Sequence, residues 1–137
     1  MRLVITLLAA LLAAPPALAC SCSCRGDAAE LVRSVSLIFR GVPVAEATAG
    51  NVRRYTIEVT AVLKGEVQPR VEVRTPSSSA ACGVVLEMGR EALIAAHRSG
   101  EGPQTNLCTH YCLGQKLPEV ERILARCKPG APCPPED

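Results

Sequence analysis

Arg54-Tyr55-Thr56-Ile57-Glu58-Val59-Thr60-Ala61-Val62-Leu63 is the stretch that decides the fold class. Tyr55, Ile57, Val59, Ala61 and Leu63 alternate with Arg54, Thr56, Glu58 and Thr60. Successive side chains of a strand point to opposite faces, so this alternation predicts a β-strand with one buried face. Lys64-Gly65 closes it with a turn signal. Upstream, residues 37–44 are rich in large apolar side chains and predict a second strand, with Gly41 and Pro43 marking a bend or bulge near an edge. Downstream, Val71 and Val73 alternate with Arg70, Glu72 and Arg74 in a third strand. It runs into the small, polar loop Thr75-Pro76-Ser77-Ser78-Ser79-Ala80-Ala81-Cys82-Gly83. Residues 92–96 and those around 105–108 are candidates for the fourth and fifth strands, separated by the turn region Ser99-Gly100-Glu101-Gly102-Pro103.

Helices flank these strands. Asp27-Ala28-Ala29-Glu30 reads as a capping box opening a helix over 28–35, with Leu31, Val32 and Val35 on one face. Pro118 sits at the first turn of another, in which Val120, Ile123, Leu124 and Cys127 fall at i, i+3, i+4 and i+7 before Lys128-Pro129-Gly130 ends it. The fold class is therefore all-β with flanking helices, compatible with a small closed or partly open barrel such as the five-stranded Greek-key OB-fold.

The start of the chain reads as a secretory signal peptide over residues 1–19: Arg2, an apolar run from Leu3 to Leu12, and the small-x-small pattern Ala17-Leu18-Ala19. Cleavage there would make Cys20 the first residue of a mature chain of 118 residues out of 137, enough for one domain. A lipoprotein signal is the competing reading, in which Cys20 is lipidated and the protein anchored at the cell envelope; Ala17, where that signal wants a large aliphatic residue, favours secretion to the extracellular space or periplasm. A formal net charge of +2 without a long basic block gives no electrostatic footprint for nucleic acid or membrane. The only aromatic residues, Phe39, Tyr55 and Tyr111, are too few for a base-stacking platform.

Eight cysteines, at 20, 22, 24, 82, 108, 112, 127 and 133, all follow the leader. An even count in an exported chain reads as up to four disulfides, whose pairing spacing alone does not choose. Three of them alternate in Cys20-Ser21-Cys22-Ser23-Cys24. There is no Ser-His-Asp order, no HExxH and no phosphate-binding glycine loop, so the chain does not read as an enzyme and implies no cofactor of its own. His97 and His110 read as surface or strand-end residues, although His110 beside Cys108 and Cys112 hints at a metal. The tail, residues 128–137, is proline-rich, with Cys133 as its one possible anchor.

Cys20-Ser21-Cys22-Ser23, Leu37-Ile38-Phe39-Arg40-Gly41, Tyr55-Thr56-Ile57-Glu58 running to Leu63-Lys64-Gly65, the stretch from Thr75 to Val84, and Thr105-Asn106-Leu107-Cys108 together resemble the N-terminal domain of the tissue inhibitors of metalloproteinases. Their order and spacing match along most of residues 20–108. The resemblance implies a single-domain, bacterial-style member with a netrin-like OB barrel over 20–127. It implies an inhibitor whose partner is a zinc metallopeptidase, acting as a monomer. The Cys20 α-amine and carbonyl oxygen would chelate the target's catalytic zinc, Ser21 would enter the pocket for the residue after the scissile bond, and Cys22 and Ser23 would continue the wedge. The loop Ser77, Ser78, Ser79, Ala80 and Ala81 would fill the other side of the cleft. Bridges Cys20–Cys82 and Cys22–Cys108 carry over by position. The family's third N-domain cysteine aligns near Arg33, so that bridge is lost or replaced by Cys24 with Cys127 or Cys133; Cys24–Cys127 together with Cys112–Cys133 is the expected arrangement. A netrin-like binding or structural module at the cell envelope, without inhibitory activity, is the alternative function.

Overall fold

The computed structural model describes residues 20–128. The expected leader, residues 1–19, and the tail beyond Lys128 lie outside the described residues. Strands β1 (Leu37–Ala49), β2 (Val52–Lys64), β3 (Arg70–Pro76), β4 (Ala92–Ser99) and β5 (Gly102–Gln104) alternate with a single-turn helix, Ser79–Ala81, and are flanked by α1 (Ala28–Ser34), α2 (Leu107–Gln115) and α3 (Leu117–Leu124). The five strands form one sheet whose hydrogen bonding closes into a ring in the order β1-β2-β3-β5-β4 and back to β1. Every pairing is antiparallel except β3 with β5, which meet through Arg74 and Gln104 alone.

Two apolar clusters hold the layers together. Leu37, Phe39, Tyr55, Ile57, Val73, Ile94 and Ala96 pack as one cluster, joined by Val84 and Leu86 from the β3–β4 connection. Ile38 and Ala95, the alternate residues of the same strands, pack instead with Val32, Leu113, Val120 and Leu124 of the three helices. β1 and β4 are thus buried on both faces along Leu37-Ile38-Phe39 and Ile94-Ala95-Ala96. That explains why these strands read as unbroken apolar runs rather than alternations.

The long β1–β2 pair is irregular at three places. The register steps from Arg40–Ala61 to Gly41–Val59, leaving Thr60 unpaired, from Pro43–Ile57 to Ala45–Thr56, leaving Val44 unpaired, and from Ile38–Lys64 to Phe39–Val62, leaving Leu63 unpaired. Gly41 is required at this bend, because a Cβ there would stand 2.5 Å from Ile57 Cγ2 and 2.8 Å from the Glu58 carbonyl oxygen. The steps also revise the expected single buried face. Tyr55, Ile57 and Val59 belong with the first cluster, whereas Leu63 packs against the second, beside the helices. An extra residue in a strand reverses the facing of those that follow.

α1 begins where expected: Asp27 Oδ1 accepts from the Glu30 backbone N–H at 2.7 Å. At its other end Lys64 Nζ donates to the carbonyl oxygens of Val32 and Val35, so a strand residue caps the helix. β1 runs five residues past the expected end at 44, because its exposed second half pairs with β2 alone and carries no apolar alternation to read. The fifth strand is also moved. It occupies Gly102–Gln104, and the segment expected to be extended, 105–108, instead enters α2. The Asn106 side chain accepts from the Thr109 N–H at 2.9 Å, which caps the helix and turns the backbone out of the sheet immediately after Thr105.

Candidate functional site

The segment Cys20–Cys24 carries no helix or strand of its own; its alternate residues divide into half-buried cysteines and exposed Ser21 and Ser23. Three disulfides fix it to the domain: Cys20–Cys82, Cys22–Cys108 and Cys24–Cys112. The third corrects the expected Cys24–Cys127 and Cys112–Cys133 bridges. Cys127 is itself disulfide-bonded, and no described cysteine is free.

The reason for the correction is α2. Residues two apart on an extended chain lie on one side, about 6.6–6.8 Å apart. Residues four apart on a helix share a face, about 6 Å apart. Cys22 and Cys24 therefore match Cys108 and Cys112 in spacing, provided that 107–115 is helical. Read as a strand end, the segment conceals the match. The Asn106 cap and the i, i+4 cysteines were the signals that could have disclosed it.

Cys82 anchors the front of the ladder in an unusual backbone state. It closes the Ser79–Ala81 turn with φ +63° and ψ +30°, the left-handed region, which costs a residue with a Cβ about 1–2 kcal/mol. Two hydrogen bonds hold it there. Its N–H donates to the Ser79 carbonyl at 3.1 Å, and its own carbonyl accepts from the Leu107 N–H at 2.7 Å, at the start of α2. The preceding loop is equally tied. Ser78 Oγ accepts from the Ala81 N–H at 3.2 Å, and the Gly83 N–H donates to the Ser78 carbonyl at 2.9 Å. Gly83 lies so close to β3 that a Cβ would stand 2.0 Å from the Pro76 carbonyl oxygen.

Arg53, which the sequence did not single out, braces the loop from β2. It donates to the carbonyls of Ser77 at 3.1 Å and Val84 at 3.3 Å, and its Nε lies 3.1 Å from Glu46 Oε1. Ser77 is half-buried under this clamp, while Ser78, Ser79, Ala80 and Ala81 are exposed. The sequence-named segments 20–23 and 77–81 are thus brought together through the Cys20–Cys82 bridge. His97 stands apart, exposed on β4 opposite Gln104. His110 lies on α2, where burial pushes its imidazole below the ordinary value for histidine.

No family model and no curated protein matches this chain.

Two grooves border the ladder. One, about 270 Å³, is lined by Asn51, Arg74, Ser77, Ser78, Ala81 and Gln104. The other, about 260 Å³, lies along the cysteine segment between Ser23, Arg25, Glu30, Thr109 and Lys116. Lys116 Nζ donates to the Gly26 carbonyl at 2.6 Å and fixes the turn between this segment and α1. The bridges belong to an oxidising compartment. Among the described residues no helix is long and apolar enough to cross a membrane.

Proposed function

We propose that this chain is a secreted protein inhibitor of zinc metalloendopeptidases, with Cys20 as its mature N-terminal residue. The observation that carries the reading is the ladder itself: three bridges hold residues 20–24 beside the loop 77–81, which is exposed from Ser78 to Ala81, with Ser21 and Ser23 exposed as well. The closed five-stranded ring supports a netrin-like OB barrel, the architecture expected from the resemblance.

In this mechanism the Cys20 α-amine and carbonyl oxygen form a five-membered chelate on the target's catalytic zinc and displace the water that the metal would activate. Ser21 enters the adjoining pocket of the protease. Its small hydroxymethyl group offers little apolar surface for discrimination, so selectivity among targets is broad. The bridges matter because a segment already fixed loses little conformational entropy on docking.

The test is inhibition of a panel of secreted zinc endopeptidases by the chain beginning at Cys20, compared with the same chain carrying one alanine ahead of Cys20. Inhibition by the first and none by the second supports the chelate. Equal potency would contradict it. Ser21→Gly weakens binding without altering the fold.

A further inference from the structure

One edge of β1 is open. β4 pairs with it only from Leu37 to Gly41, and the Gly89 N–H donates to the Pro43 carbonyl oxygen at 2.9 Å. Beyond that point, among the described residues, the β1 backbone pairs with β2 alone, and residues 44–51 are exposed throughout. The turn Gly50-Asn51 joins Ala49 to Val52, the pair whose hydrogen bond closes the hairpin. Bonded and non-bonded pairs alternate along an antiparallel ladder, so Glu46 and Thr48 turn their N–H and C=O groups away from β2. Sheet edges of soluble proteins are ordinarily blunted by lysine, proline or a covering element. Residues 44–49 hold neither lysine nor proline, and their one charge, on Glu46, is met by Arg53 Nε at 3.1 Å.

We propose that this edge is the contact of a homodimer, in which a second copy of the chain adds its own β1 antiparallel to the first and the two sheets join across a two-fold axis. The sequence selects the register. About Ala47 the stretch Ala45-Glu46-Ala47-Thr48-Ala49 complements itself: Glu46 of each copy faces Thr48 of the other, whose hydroxyl can donate to the carboxylate, and alanines face alanines. In that register the outward N–H and C=O groups of Glu46 and Thr48 meet those of Thr48 and Glu46, so each finds a partner. A register centred on Glu46 would set two carboxylates opposite each other, and one centred on Thr48 would leave Glu46 against the turn at Gly50. Val44 and Met88 are exposed where this edge begins, Met88 beside the Gly89 that bonds Pro43, and add apolar contact there. With a formal net charge of +2, two copies repel each other little. The dimer departs from the monomer implied by the resemblance, and it is independent of protease inhibition.

The experiment is sedimentation equilibrium of the oxidised chain from Cys20 onward, which contains the whole described fold, at concentrations up to about 1 mM. A monomer–dimer equilibrium is expected. Thr48→Pro removes an outward N–H that β2 does not use and abolishes the dimer. Ala47→Lys sets two ammonium groups opposite each other at the axis and weakens the dimer at least about tenfold, as Ala47→Glu does with two carboxylates, while an equimolar mixture of these two variants regains it. Misfolded chains would not restore association in this way, so the mixture decides even where Thr48→Pro fails to fold. Monomer at every concentration, a dimer that Ala47→Lys and Ala47→Glu leave intact, or a mixture no more associated than its components would overturn the proposal.

Discussion

The backbone N–H of Leu107 donates to the carbonyl oxygen of Cys82 at 2.7 Å, joining the loop after β3 to the first turn of α2. This bond sets Cys82 beside the helix that carries Cys108 and Cys112, so the three acceptors of the ladder follow one another as Cys20, Cys22 and Cys24 do. Non-reducing peptide mapping of the oxidised protein therefore yields Cys20 with Cys82, Cys22 with Cys108 and Cys24 with Cys112. A peptide joining Cys24 to Cys127 would break this account.

The rungs differ in what they support. With Cys22–Cys108 intact, Cys24–Cys112 closes only the short loop through residues 22–24 and 108–112. In the chain-entropy account its removal lowers stability by about 2–3 kcal/mol, still a sizeable share of a small domain's total. The Cys24→Ser/Cys112→Ser variant therefore unfolds at markedly lower denaturant concentration. Its Cys20–Cys82 and Cys22–Cys108 bridges persist, and so does the placement of the segment they pin. Denaturant titration and peptide mapping of that variant measure the two effects separately.

Much of this fold was legible because burial and periodicity agree. Tyr55 and Ile57 alternate with polar partners and are fully buried; Asp27 announces α1 and caps it. Legibility failed where a local side-chain hydrogen bond overrode the pattern. Asn106 takes one backbone N–H and turns an apparently extended segment into a helix, and with it went the pairing of Cys24 and Cys112. Arg53 was invisible for another reason: it reads as the polar side of a strand, and its targets are backbone carbonyls of the loop far along the chain.

Two glycines separate steric from conformational demand. At Gly83 an added Cβ would press on the Pro76 carbonyl, so Gly83→Ala displaces the loop from β3 and costs about 1–3 kcal/mol, as overpacking does. At Gly50, in the β1–β2 turn, a Cβ meets nothing within 4 Å, but φ is +60°. Gly50→Ala costs about 1–2 kcal/mol through backbone strain alone. Thermal unfolding measures both. The loop's susceptibility to proteolysis rises only for the first.

Burial of His110 depresses its imidazole below the ordinary histidine value of about 6.5. In the window between the folded value and 6.5 the unfolded chain binds more protons than the folded one, so stability rises with pH. The contribution is fully present above 6.5 and is lost as pH falls through the folded value. Replacing His110 with Gln removes this slope, which chemical denaturation at a series of pH values from neutrality downward detects. An unchanged slope would assign the acid sensitivity to other groups.

The proposed chelate has a pH dependence of its own. Coordination needs the neutral amine, and an α-amino group has a reference pKa of about 7.7–8.0. Below that range each unit of pH lowers the neutral fraction about tenfold, so affinity for a zinc peptidase falls with acidification until another group dominates. Dividing by the same enzyme's affinity for a chelator that does not titrate there removes the protease's own ionisations. The corrected profile rises with pH and levels off above the amine's pKa. A flat corrected profile across that range would mean that the Cys20 nitrogen does not reach the metal.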